Sequence, residues 1–399
     1  MDYLKKTFRW FGPSFGVSLP EIKQLGVEGI VTACGHIPIG EVWPMEDIAS
    51  LKNEIIGHGM EWSVVESVNI HNAIKYGLPE RDKFIENYIH TLKHLAAHGI
   101  FTVCYNFMAL FDWTRTHLQF QLPTGAISML YDPNAIAAFD LYILKREKAL
   151  ILYTDEQKEK ATAYFENLNA DGQQKLAQAI LIGMPGTKEH LTLEHFERNL
   201  QALEDLDKTT LQNNLAYFLN AVIPEVEKLG VKMAIHPDDP PFPVFGIPRV
   251  VSTYEDLQSV FDCCPSPSNG LTFCSGSFGA SENNNLIKII QDFGDKIHFI
   301  HLRNVEREGG GRFYESSHLE GSVPMAEVMR ELVQEQRRRL VNGNLEVAIP
   351  MRPDHGHVVL DDRLREEKFY PGYSLIGRAM GMAELKGLEV GVRNSLLLS

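Results

Sequence analysis

Few cysteines, a shortage of positive charge and the absence of any long apolar run set the first limits on this 399-residue chain. The five cysteines are Cys34, Cys104, Cys263, Cys264 and Cys274. They are odd in number and thinly spread, which argues against a disulfide framework and favours a reducing compartment. Lysine and arginine total 38 against 52 aspartates and glutamates, a net charge of −14. That deficit argues against nucleic-acid and acidic-membrane partners. It also makes any small anionic substrate depend on local positive charge. No stretch of about 18 apolar residues occurs, and no apolar signal core follows Met1–Trp10. The expected setting is the cytoplasm, with no membrane partner.

What is present is globular. At 44% hydrophobic and 23% charged residues, the chain can bury a large core. Length alone suggests two or three domains, but an α/β barrel runs past about 250 residues as one unit. Short, near-continuous apolar runs recur: Phe8–Phe11, Gly29–Cys34, Trp62–Glu66, Phe101–Tyr105, Lys232–His236, Leu271–Cys274, Ile297–His301 and Glu346–Met351. Such runs are the mark of parallel strands covered on both faces by helices. Helical spacing fills the gaps at Pro44–Gly57, Asp82–Gly99 and Asn213–Gly230. Eight strands alternating with helices predict an α/β fold, a (β/α)8 TIM barrel. A doubly wound open sheet is the competitor. No G-x-G-x-x-G follows the first strand, so its nucleotide-binding form has no support.

The gap after the fourth strand is too long for a barrel loop. From Trp113 to Thr209 it reads as polar and mostly helical, with helices over 135–149, 155–168, 173–182 and 193–206. The reading is a single barrel domain over 1–399 with a helical insertion at 113–209. That insertion is a lid, a linker or a dimer arm, and a homo-oligomer is the expected assembly. The arginine run Gln334–Arg339 reads as a solvated helix end.

The 15 histidines are a high count and a reason to look for ligands. The last four strands end at His236, Cys274, His301 and, just beyond the eighth, Asp354. In a barrel these ends face one shared mouth. A lone histidine or cysteine there is usually a core filler. Four metal-capable side chains on successive strand ends favour a metal site. Two imidazoles, a thiolate and a carboxylate suit Zn²⁺, Fe²⁺ or Mn²⁺ by softness. A closed tetrahedral zinc would leave a substrate no position, whereas higher-coordinate Mn²⁺ or Fe²⁺ would.

Alternation puts Phe299, His301 and Arg303 on one face and His298 on the other, toward the helices. Arg303 is a candidate clamp for a substrate carboxylate, or else the partner of a structural acid. His355 is a candidate acid or base, or a contact to its neighbour Asp354. Tyr373 follows Pro371-Gly372 on a turn, where its phenol either moves a proton or packs. Gly309-Gly310-Gly311 suggests a mobile substrate loop.

These pieces together resemble the D-mannonate dehydratase family of hexuronate (glucuronate) catabolism, a metal-dependent branch of the xylose-isomerase-like barrels. The matching stretches are Phe8–Pro13, Ile235–Pro241, Cys274–Ser277, His301–Asn304, Arg352–His357 and Pro371–Tyr373, nearly end to end. The resemblance implies a hydro-lyase that converts D-mannonate to 2-keto-3-deoxy-D-gluconate and water, with Mn²⁺ or Fe²⁺ as cofactor. It implies His236, Cys274, His301 and Asp354 as metal ligands and His355 with Tyr373 as the catalytic pair. Rival readings are a metal-dependent sugar isomerase on the same barrel, a nuclease and a non-enzymatic metal-binding protein.

Overall fold

The computed structural model describes residues 3–110, 112–182, 192–342, 348–366 and 369–398. In chain order the strands are β1 (Lys5–Arg9), β2 (Gly29–Thr32), β3 (Glu61–Glu66), β4 (Thr102–Tyr105), β5 (His117–Gln121) and β6 (Ile127–Tyr131). They continue as β7 (Lys232–Ile235), β8 (Asn269–Cys274), β9 (Ile297–Leu302), β10 (Val305–Gly309), β11 (Arg312–Glu315) and β12 (Pro350–Pro353). Eight of them close a parallel barrel in the ring order β1-β12-β9-β8-β7-β4-β3-β2. The TIM barrel read from the sequence is therefore the fold. No described helix is long and apolar enough to cross a membrane.

The apolar runs form strands because both of their faces are covered. Every residue of β8 and of β9 is buried. Gly270 shows how tight the fit is. A Cβ there would stand 2.1 Å from the His298 ring. His298 does face outward, and its Nε2 lies 3.0 Å from the Pro267 carbonyl oxygen. Inside the ring, Val31, Val64, Cys104, Ala234 and Phe299 form one packed cluster. Thr272 closes it by donating to the Cys104 sulfur and the Ala234 carbonyl. The barrel is thus plugged by side chains. Two residues further along, the inward positions of most strands turn polar: Arg9, Glu66, Asn106, His236, Cys274, His301 and Arg352.

Several boundaries move for physical reasons. β1 lies earlier than expected, and Trp10 and Phe11 leave the sheet ahead of Gly12, whose φ is +100°. The helix expected from Asn213 starts at Lys208, because Asp207 caps it by accepting from the Thr210 N–H at 2.7 Å. Glu346 and Val347 of the eighth run lie outside the described residues. The arginine run is no solvated end, since among its arginines only Arg338 is exposed. Arg339 pairs with Glu335 at 2.6 Å and donates to the Ile297 carbonyl at 2.8 Å. Gln336 is buried and accepts from the Ile349 N–H.

The connection after β4 carries three of the four expected helices, as Asp155–Glu166, Ala170–Leu181 and Leu193–Ala202. The one expected over 135–149 breaks up: Pro133–Ala138 is α-helical, Phe139–Ile143 is a π-turn, and Lys145 has φ +55°. The connection opens, however, with an antiparallel hairpin, β5 and β6, that the sequence reading passed over. β6 pairs with β11, and β11 with β10, giving a second sheet of order β10-β11-β6-β5. The three glycines read as a mobile loop form the turn of the β10–β11 hairpin, each with positive φ. Only glycine adopts such a run without strain.

Candidate active site

At the carboxyl ends of β7, β8 and β9 the donor atoms of His236, Cys274 and His301 lie within 4.8 Å of one another. Strand alternation aims all three inward. His236 Nε2 and His301 Nδ1 are 3.1 Å apart. Two imidazole nitrogens bonded to one ion at about 2.0–2.1 Å sit about 3–3.4 Å from each other, so the spacing fits a shared cation. His301 is fully buried, and its Nε2, 3.6 Å from Glu66, makes no hydrogen bond among the described residues. Burial lowers the His236 pKa, which keeps that imidazole neutral with a lone pair to give. The Cys274 sulfur accepts from the Ser277 hydroxyl at 3.2 Å and the Ser277 N–H at 3.5 Å. The donor set suits a borderline divalent metal.

Asp354 follows β12, held by its N–H on the Leu302 carbonyl. It stands outside the three-residue group but beside it. Its Oδ2 is 3.9 Å from the Cys274 sulfur and 4.0 Å from His301 Nδ1. Burial alone would raise its pKa. Arg352, His355, His301 and Arg303 outweigh burial and hold it well below the usual carboxylate range. Arg352 donates to Asp354 Oδ1 at 2.6 Å and grips both oxygens of Glu66, at 2.8 and 3.0 Å. Glu66 is likewise kept ionised against its burial, chiefly by Arg352.

Arg303 is buried in the same mouth. Its Nη1 donates to Asp239 at 2.7 Å, and its Nε lies 3.2 Å from Glu315. Arg115, from the connection leading into β5, meets the same two acids. It donates to both Asp239 oxygens, at 2.8 and 3.1 Å, and to Glu315 at 2.6 Å. Glu315 ends β11 and also lies 3.1 Å from His355 Nδ1. His355 has φ +48° and lines the cavity at the mouth. The Tyr373 ring meets the His355 ring edge-on at 5.3 Å. The Tyr373 hydroxyl donates to Asp354 Oδ1 at 3.4 Å. Burial, with Asp354 adding to it, raises the phenol pKa, so Tyr373 keeps its proton.

The seven residues singled out from sequence thus gather at one mouth. Arg303 arrives already paired with two acids, yet its buried Nη2 has no hydrogen-bond partner among the described residues. The reading missed Arg9, Glu66, Arg115, Asp239 and Arg352. Of these, Arg9, Glu66 and Arg352 had a signal, since they are polar residues at inward strand-end positions. Arg115 had none, because it lies outside any strand, in the connection ahead of β5.

A closed parallel barrel whose mouth gathers a group able to hold a metal ion defines a TIM barrel with a candidate metal centre. A xylose isomerase domain protein from Planctomyces limnophilus shares that fold, with a TM-score of 0.50 at 10% identity, each chain covered in full (100%). The profile of the D-mannonate dehydratase (UxuA) family matches residues 4–397, and the chain belongs to this family. A mannonate dehydratase of Marinomonas sp. (strain MWYL1) is 46% identical over 394 residues, 98% of this chain and 100% of that one. The crystal structure of mannonate dehydratase from Streptococcus suis serotype 2 superposes with a TM-score of 0.77 at 32% identity, covering 99% of this chain and 95% of that one.

Proposed function

We propose that the chain is a hydro-lyase that eliminates water from D-mannonate to give 2-keto-3-deoxy-D-gluconate, in cytoplasmic hexuronate (glucuronate) catabolism. The observation that carries this reading is the family match over residues 4–397. His236, Cys274, His301 and Asp354 would hold the metal, Mn²⁺ or Fe²⁺. Their convergence supports that assignment. The bound cation supplies positive charge where the substrate carboxylate gains electron density as the C2 proton leaves.

The chain's own groups then divide the proton work. Glu315, 3.1 Å from His355 Nδ1, favours the proton on that nitrogen, which leaves the Nε2 lone pair for the C2 proton. Tyr373 is held protonated and donates to the departing C3 hydroxyl. Arg303 presents its unpartnered Nη2 to the substrate. The whole chain, 1–399, acts as one barrel domain with 113–209 as its insertion. The pairing of β6 with β11 supports that unity.

The test is direct. Chelated protein is incubated with D-mannonate and assayed for a 2-keto acid, then reassayed with Mn²⁺ or Fe²⁺. The expected result is turnover only with metal. A product with hydrogen moved between C1 and C2 of an aldose, and no 2-keto acid from mannonate, would establish the isomerase instead.

A further inference from the structure

A second cavity opens between the first three strand-to-helix connections and joins the metal-side cavity at Arg9, Phe11 and Ser67. Arg9 at this neck differs from the other arginines of the mouth. Arg115, Arg303 and Arg352 pair with Glu66, Asp239, Glu315 and Asp354, and Asp112 of the metal-side cavity pairs with Lys75. Arg9 is buried, and among the described residues no carboxylate lies within 4.0 Å of it. Its Nη1 donates to the Trp10 and Val31 carbonyls, and its plane lies 4.1 Å from the Phe11 ring. Arg9 lines both cavities, where its guanidinium can donate to an oxygen of a bound molecule. Asn69 lines the cavity further out. Its Oδ1 accepts from Ser67 at 3.0 Å, which turns its amide nitrogen the other way. Trp43 and Phe84 add aromatic faces to the same wall. Donors interleaved with aromatic faces suit a polyol, which offers hydroxyl oxygens and C–H surfaces by turns.

In the ring order β1 stands across the barrel from β7. Chemistry at C1–C3 beside His236, Cys274 and His301 therefore leaves the rest of a sugar acid running toward Arg9. We infer that this second cavity, with Arg9 at its neck and Asn69 on its wall, binds the hydroxylated end of the substrate remote from the carboxylate and sets the chain length accepted. This inference rests on the proposed reaction.

The test compares kcat/KM for D-mannonate with that for the five-carbon acid of the same configuration at C2–C4. Losing one carbon and its hydroxyl should cost the metal-loaded protein about tenfold or more. In Asn69→Ala, and in Arg9→Met, that preference should fall at least about fivefold, with the loss on the six-carbon acid. Asn69 is half-buried at the cavity wall, so its variant keeps the test open where the buried Arg9 variant fails to fold. An unchanged preference in Asn69→Ala overturns the subsite. If the unaltered protein dehydrates neither acid, the proposed reaction fails on its own. Calorimetric binding then decides the subsite: a six-carbon preference that Asn69→Ala removes supports it, and equal binding of the two acids overturns it.

Discussion

The barrel sheet and the smaller antiparallel sheet meet the site in different ways. The barrel strands deliver His236, Cys274 and His301, one per strand end. Among the described residues the second sheet delivers no metal-capable cluster. Through Arg115 and Glu315 it instead grips Asp239 and Arg303 and reaches His355. One sheet brings the metal-capable donors together and the other pairs with the charged groups beside them. Stripped of its connections, the barrel would leave Arg303 with one carboxylate fewer and His355 with nothing on Nδ1. The long connection after β4 thus contributes buried ion pairs beside the site.

The largest expected effect comes from the barrel side. His301→Ala should lose bound metal, measured by elemental analysis, and lower turnover by about 1,000-fold or more. Full turnover with metal retained would remove His301 from the ligand set. The second sheet should answer differently. Glu315→Gln takes one carboxylate from two buried arginines, costing about 3–5 kcal/mol in unfolding free energy. It should also lower kcat on the order of 100-fold with metal content and KM nearly unchanged, through His355. Lost stability with kcat intact would make the second sheet structural only.

The smallest effect comes from the outer face of β9 and sharpens the contrast from outside the site. Burial lowers the His298 pKa to about 3. The unfolded chain binds the proton near the ordinary value of 6.5, and the folded protein does not. Stability is thus full above that value and falls as pH drops toward about 3, at most about 1.4 kcal/mol per pH unit for one proton. Denaturation of His298→Gln between pH 7 and 4 should show a shallower decline than the unaltered protein, with turnover at pH 7 unchanged. Equal slopes would place the acid sensitivity elsewhere.

The barrel was legible because parallel strands buried on both faces leave continuous apolar runs, and because inward strand-end positions can be counted by twos. That reasoning located Cys274 and His301 and placed His298 on the outer face. It did not weigh Glu66 or Arg352, which occupy equivalent inward positions but form no metal-ligand pattern. The hairpin of the second sheet did leave a trace. Leu118, Phe120 and Leu122 alternate with polar residues ahead of Pro123-Thr124-Gly125. Helical expectation for the whole insertion hid it. Ion pairing was out of reach in principle. Arg115 meets Glu315 only because β6 pairs with β11, a contact between distant segments that no local pattern records.

The ring closes where β1 meets β12, with residue 5 beside residue 350. During synthesis, then, the first strand must wait for nearly the whole chain before its second edge is covered. Until β12 emerges, β1 and β9 expose unpaired backbone, the kind of edge that recruits other chains. Asp354, His355 and Tyr373 come only after it, so a chain caught at that stage is both inactive and at its stickiest. Folding of this protein should accordingly slow and aggregate with rising concentration more than its acidic surface suggests.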